Sequence, residues 1–396
     1  MKGMKERILI FTGKGGVGKT SIAAAHAVKA AKEGVNTLLV STDMAHNLSD
    51  LFGTPLGKTP KKVMDCLNVY EIDANYILEH DFGNLTECFT KMLPASRELS
   101  PEEMGIMPGM EELFALLKIS QLYEEKTYDL IVVDCAPTGE TLSMLKMPEL
   151  LSWYMEKLFP IGKMAMRVLA PISKKAFQVE LPNKKAMTDI EILYGKLLAL
   201  QQLFKNQEVT SIRIVTVPEK MIVEETKRNY MYMNLFHYNV DGIYVNRVLP
   251  KDMDNPFFEQ WIGIQQTYQQ ELKESFHGLP MWEIPWFDQE VDGVEGISRM
   301  AEKYLDDPKL FEIWQVHAKE QFEKDGDTYL LKISIPGVKK ETMELYQTSN
   351  DVVIRVNNVK RNITLPDVLR KYEITKADIE EDTLVIRFEN GEDEYA

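Results

Sequence analysis

Residues 13–20 read Gly13-Lys14-Gly15-Gly16-Val17-Gly18-Lys19-Thr20, and the fold follows from how that octapeptide is read. Glycines, a lysine and a hydroxyl at this spacing form a loop whose backbone N–H groups turn inward on phosphate oxygens. The flanks supply the setting that such a loop requires. Ile8-Leu9-Ile10-Phe11 is a short apolar run suited to a buried parallel strand. Ser21 to Ala31 is alanine-rich and closed by Gly34, which predicts a helix. Its N-terminus adds about half a positive charge at the loop. On this reading Gly13, Gly15, Gly16, Val17, Gly18, Lys19, Thr20 and Ser21 cradle a nucleotide. Lys19 would meet the β- and γ-phosphates, and the Thr20 hydroxyl would hold Mg2+. Lys14 is a cation that an ordinary loop of this kind does not need. Pointing away from its own nucleotide, it predicts phosphates supplied by a second copy of the chain, and hence a homodimer.

Composition bounds the rest. At 396 residues the chain exceeds one typical core, so two domains are expected. A hydrophobic content of 44% with 27% charged residues is that of a soluble globular protein. The formal net charge of −15 argues against a nucleic-acid partner, because phosphate backbones attract basic faces. The chain enters its first strand without an apolar signal segment, and no apolar run is long enough to span a bilayer. A cytoplasmic protein that does not itself span a membrane is expected. Cys66, Cys88 and Cys135 are far apart, which fits a reducing compartment and offers no zinc-type ligand pair.

Strand-like runs at Thr37–Thr42, Leu130–Asp134, Ile212–Val217, Gly242–Asn246 and Met281–Ile284 alternate with helical stretches. The pattern predicts an α/β fold with a doubly wound, mainly parallel sheet of the P-loop NTPase type. Two stretches rich in methionine and large apolar residues, 73–125 and 148–204, interrupt it and read as a helical subdomain. Beyond them the period changes to two: Tyr329, Leu331, Ile333 and Ile335, then Val352, Ile354 and Val356, then Leu384, Ile386 and Phe388. Turn signals such as Pro336-Gly337 and Asn390-Gly391 bound these runs. A boundary near Phe322 therefore separates a nucleotide domain, 1–320, from a small all-β sandwich, 321–396.

Phosphoryl transfer to water needs a positioned water, a metal and charge neutralisation. Two strand ends supply candidates, and strand C-termini are where ligands sit in open α/β sheets. Ser41-Thr42-Asp43 offers Asp43 to orient or deprotonate the attacking water; its structural alternative is to cap the helix beginning near Ala45. Asp134, closing Leu130-Ile131-Val132-Val133, reads as the carboxylate that meets Mg2+ through water.

The loop with Lys14, the segment Asp43-Met44-Ala45-His46-Asn47-Leu48-Ser49-Asp50 and the segment Asp134 to Thr141 together resemble one family. It contains the arsenical pump-driving ATPases and the tail-anchored-protein targeting ATPases of the guided-entry pathway. Further matches are Pro108-Gly109-Met110-Glu111-Glu112, Val245-Asn246-Arg247, and Pro285 with Glu290-Val291-Asp292-Gly293. The resemblance implies that Lys14 reaches the partner's nucleotide, that Asp43 is the hydrolytic residue and that Asp134 belongs to the metal side. It also implies that Asn246 holds the adenine edge, with Pro285 and Phe287 stacking nearby. A strand-end asparagine also serves turns, so both roles stand open for Asn246. Met44 departs from a usual proline and Glu140 from a frequent histidine. Where eukaryotic targeting members carry a zinc-holding cysteine pair, this chain reads Asp254 to Trp261 without cysteine, so no zinc is expected.

The resemblance implies a dimeric, Mg-dependent ATPase that opens and closes a site for an apolar helical client or membrane-protein partner. The alternatives are an ATPase subunit driving arsenite or anion export, and a nucleotide-gated binding module with little turnover. Met144, Met147, Met155, Met164, Met166 and Met187, with Trp153, Phe159 and Phe177, suit either a groove for apolar helices or a packed core. The C-terminal segment, through Ile335-Pro336-Gly337-Val338 and Leu384-Val385-Ile386, resembles an α-crystallin (small heat-shock) domain.

Overall fold

The computed structural model describes residues 6–43, 47–81, 110–137, 184–251, 255–314 and 320–390, with single positions between 139 and 149. The chain divides into two compact units: Met1–Thr12, Gly18–Thr210 and Gln289–Leu310 form one, and Gly13–Val17, Ser211–Asp288 and Phe311–Ala396 the other.

In the first unit lie β1 (Arg7–Thr12), β2 (Thr37–Ser41), β3 (Lys61–Met64), β4 (Leu67–Glu71) and β5 (Leu130–Asp134). Its helices are α1 (Lys19–Lys32), α2 (Asn47–Phe52), α3 (Ala74–His80), α4 (Met110–Glu124), α5 (Lys184–Lys205) and α8 (Gly293–Tyr304). Every residue of β1, β2 and β5 is buried, which explains their unbroken Ile/Leu/Val runs. Both β1 and β2 pair in parallel with β5, in a register that sets Phe11 and Ser41 opposite Asp134. The three strands therefore end level. Thr42 N–H donates to the Asp134 carbonyl at 3.0 Å, and Cys135 N–H to the Phe11 carbonyl at 3.1 Å. β5 is inserted between β1 and β2, and the carboxyl ends of such strands are where sheets of this kind bind ligands. The antiparallel β3–β4 hairpin was not expected from the sequence. Its turn places a non-glycine residue, Cys66, at φ 60°, so the usual glycine signal is missing.

The second unit holds β6 (Thr210–Thr216), α6 (Lys220–Leu235), β7 (Val240–Val248), α7 (Pro256–Ser275) and β8 (Met281–Pro285). The sheet order is β3-β4-β2-β5-β1-β6-β7-β8, the mainly parallel α/β arrangement predicted. Helix α6 packs Val223 into a buried cluster with Ile243, Val245, Leu272 and Phe276. The Thr226 hydroxyl donates to Thr216 Oγ1 at 2.9 Å, tying α6 to the end of β6.

The same unit carries the sandwich. Its strands are β9 (Glu320–Asp325), β10 (Thr328–Ser334), β11 (Met343–Gln347), β12 (Asp351–Val356), β13 (Val359–Thr364), β14 (Tyr372–Glu380) and β15 (Thr383–Asn390). They form antiparallel sheets of order β14-β15-β10-β9 and β11-β12-β13. Leu331 faces Ile386 and Ile333 faces Leu384 across the β10–β15 ladder, and all four are buried. That alternation is the period of two read from the sequence. β9, β11, β13 and β14, whose half-exposed faces are heavily charged, gave no such signal.

The sandwich caps α6. That helix ends in a paired turn in which His237 N–H donates to Asn234 and Tyr238 N–H to Met233, with His237 at φ 69° where glycine is usual. The turn leaves the Leu235 carbonyl over, and an Arg361 guanidinium N–H from β13 donates to it. A cation is favoured at this negative end of the helix dipole. Glu320 Oε2 lies 2.7 Å from a second Arg361 nitrogen, forming an ion pair, and 2.8 Å from His237 Nε2. Burial alone would push the Glu320 carboxyl up, but His237 and Arg361 overcome it and hold the group at about 2. Its contribution to stability is therefore complete above its ordinary value of 4.5 and disappears as pH falls from there towards 2. Arg361→Ala, which leaves Glu320 without its guanidinium, is expected to cost about 3 kcal/mol in denaturant unfolding at pH 7. Glu320→Gln should flatten the loss of stability over that acid window, read from Tm against pH.

Candidate functional site

The phosphate loop is shaped by its backbone. Gly13, Gly16 and Gly18 sit at φ 153°, 81° and 93°. A side chain on Gly13 would fall on the Val215 carbonyl oxygen, so that position admits only glycine. Gly18 is the N-cap of α1 in the left-handed region; no side chain caps the helix there, and no acidic residue stands in its first turn. The N–H groups of Lys19, Thr20 and Ser21 thus begin a helix open to an anion.

In the first unit, Lys19 is buried and Asp134 is 1% exposed. Neither Asp134 carboxylate oxygen has a hydrogen-bond partner in good geometry among the described residues, although the Thr20 hydroxyl lies close enough to act on it. Burial pushes the Asp134 carboxyl up to about 7; Thr20 and Lys19 oppose the shift and Asp43 adds to it. An orphaned buried carboxylate between a lysine and a hydroxyl fits a divalent cation. Burial and the neighbouring Asp134 push the Cys135 thiol up to about 12, so it is no nucleophile. Asp43 is half-buried. Its N–H donates to Ser41 Oγ at 3.1 Å, and its Oδ2 accepts from Asn47 Nδ2 at 3.2 Å, at the start of α2.

Sequence reasoning missed a clamp on this segment. Glu71, at the end of β4, accepts from Ser49 N–H at 2.9 Å and from the Ser49 hydroxyl at 2.7 Å. It ends a strand that the sequence reading passed over, and the alternation of Leu67, Val69 and Glu71 was the only signal for it.

In the second unit, the Asn246 amide donates to the Val17 carbonyl at 2.8 Å, so it bears on the loop itself. Pro285 pairs with Val248, and Trp286 N–H donates to the Val248 carbonyl at 2.9 Å. This holds Pro285 and the half-buried Phe287 beside the strand that carries Asn246. Lys14 Nζ lies 3.3 Å from Glu225 Oε2 on α6, a partner the sequence gave no reason to expect. Met44, Glu140, Pro108-Gly109 and the stretch 151–183, with Trp153, Met155, Phe159, Met164, Met166 and Phe177, lie outside the described residues. So do Met144, Met147 and the side chain of Met187.

Comparison with known proteins agrees with this geometry. The family described as "Anion-transporting ATPase" matches residues 6–306. The chain belongs to that family. An "HSP20-like domain found in ArsA" matches residues 326–388. "Putative arsenical pump-driving ATPase 1" of Aquifex aeolicus is 33% identical over 392 residues, covering 96% of this chain and 99% of that protein. A similarly named protein of Chlorobaculum tepidum is 33% identical over 388 residues, covering 97% and 96%. "ATPase GET3" of Phaeosphaeria nodorum is 28% identical over 303 residues, covering 74% of this chain and 93% of that one. The protein is thus an ATPase of the ArsA family with an HSP20-like C-terminal domain. Among the described residues no helix is long and apolar enough to cross a membrane.

Two substitutions separate backbone fit from backbone freedom in this ATPase. Gly16→Ala meets open space and only the cost of its φ, about 1 kcal/mol, whereas Gly13→Ala also collides with backbone and should cost at least about 2 kcal/mol more. Paired Tm and nucleotide-binding measurements check that order. Asp134→Asn should retain nucleotide binding without metal but lose at least about tenfold in apparent Mg2+ affinity, read by magnesium titration of turnover.

Proposed function

We propose that this ATPase works as a symmetric cytoplasmic homodimer that closes on ATP and Mg2+ and opens after hydrolysis. An apolar helical client or membrane-protein partner is held or released accordingly, as in the targeting of tail-anchored membrane proteins. Lys14 carries the reading: a second loop lysine, about one-third exposed and paired outside the loop with Glu225, is available to a facing protomer's phosphates. Phe257, Trp261 and Ile264, spaced by four and three residues on α7, are exposed and give a pairing surface its apolar component without zinc.

Bound Mg-ATP supplies the reactive phosphoryl group and the metal's neutralising charge. The chain's own residues position and exclude. Lys19 would face the β- and γ-phosphates, the backbone of Gly13 to Ser21 would cradle them, Thr20 would hold Mg2+ and Asp134 would reach it through water. Asp43 orients the attacking water and takes its proton. Asn246 would read the adenine edge, with Pro285 and Phe287 against the ring. The nucleotide domain is 1–320 and the sandwich 321–396.

A second reading, an ATPase subunit that drives arsenite or anion export, is supported by the names of the 33%-identical relatives. Arsenite stimulation of turnover would favour export; its absence favours the client reading.

Sedimentation with ATP and Mg2+ should show the mass doubling, most persistently in Asp43→Asn. Lys14→Ala should remain monomeric and lose at least about a hundredfold in turnover. A chain that stays monomeric, with Lys14→Ala turning over as the parent does, would overturn the proposal.

A further inference from the structure

Lys14 has a partner on its own chain. Its ammonium lies 3.3 Å from the Glu225 carboxylate, and their side chains are 35% and 30% exposed. Glu225 sits next to the residue that ties α6 to the end of β6. The adjacent Thr226 bonds Thr216 at 2.9 Å, and the residue before that threonine is Val215, whose carbonyl packs on Gly13. Loop, strand end and helix are thus joined by three neighbouring contacts: Gly13 with Val215, Lys14 with Glu225 and Thr216 with Thr226. Ten residues further along the same helix, about 15 Å at 1.5 Å per residue, the Leu235 carbonyl takes its N–H from Arg361 of the sandwich. The intervening helix is continuous from Lys220 to Leu235.

We propose that Glu225 is a positioning residue for Lys14, holding the lysine on its own protomer until a facing triphosphate draws it away, and that the sandwich sets that hold by capping the far end of α6. The inference rests on the reading of Lys14 given above. For Lys14 to bridge to a partner's phosphate the pair with Glu225 must open, and a carboxylate left behind repels the incoming anion. Glu225 therefore raises the ATP concentration needed for pairing and restrains premature closure. The sandwich acts through the helix, without a residue at the chemistry. With a carbonyl unsatisfied and a cation lost at its far end, α6 is seated less firmly as a whole, and Glu225 near its other end shifts with it.

The test uses the full chain and measures the ATP concentration for half-maximal dimerisation at saturating Mg2+. Glu225→Gln should lower it by about two- to fivefold, the span expected of one partly exposed ion pair, with an unchanged Tm. Arg361→Ala should lower it in the same direction. In the Glu225→Gln background Arg361→Ala should add nothing further, although sites so far apart otherwise act additively. Arg361→Lys, which keeps a cation at the helix end, replaces Arg361→Ala where that variant does not fold, and is expected to shift half-saturation less. A purely structural Arg361 would lower Tm and leave half-saturation where it was, and that result overturns the role of the sandwich. Lys14→Ala separates the two levels of the argument. If it abolishes pairing while Glu225→Gln changes nothing, the hold is wrong and the dimer reading stands. If Lys14→Ala itself pairs normally, the dimer reading fails first.

Discussion

Residue 13 can carry no side chain, because the Val215 carbonyl occupies the place where one would begin. That close approach of two backbones fixes the path of the phosphate loop past the end of β6. Contacts within the chain shape the loop: Asn246 holds its Val17 carbonyl at 2.8 Å, and the left-handed Gly18 turns directly into the helix. A preorganised loop avoids the entropy that a mobile one loses on binding, which is the reason for placing strained backbone at a binding site.

The electrostatics follow the same logic. Asp134 stands at the level end of three buried strands, 1% exposed, with its charged form penalised by burial. A chain that only had to fold would place an apolar residue there, since burying a carboxylate without adequate partners is costly. Lys19 and the Thr20 hydroxyl reduce the penalty without removing it, so the carboxyl stays raised. The remaining cost is one that a bound divalent cation would relieve. Local conflict between stability and placement is the usual mark of a working site.

Legibility in the sequence tracked how local each constraint is. The loop, β5 and α1 were readable to within a residue or two, because glycine spacing and unbroken apolar runs encode them over a few positions. The β3–β4 hairpin escaped because Cys66 adopts a turn conformation that glycine usually announces. Four of the seven described sandwich strands escaped because charged half-exposed faces mask the period of two. The contacts of the site followed another rule. Asp43, Lys19, Thr20 and Asp134 are named by motif, whereas Glu71 on Ser49 and Glu225 on Lys14 depend on tertiary register over separations of 22 and 211 residues. A glutamate on a helix gives no hint of which distant cation it will meet.

The end of α6 shows why the sandwich belongs to the nucleotide half in physical terms. A glycine at position 237 would close the helix without strain, yet a histidine stands there at φ 69°, at a cost of the order of 1 kcal/mol. What the histidine supplies is a ring nitrogen 2.8 Å from Glu320, and Glu320 in turn fixes Arg361 beneath the Leu235 carbonyl. The helix end has given up a locally sufficient solution for one that works only with β9 and β13 in place. A module tethered merely for solubility would leave such a terminus self-contained. Here the last turn of the helix, the turn after it and two strands of the sandwich share one partly buried polar cluster, so a displacement of either side is felt by the other.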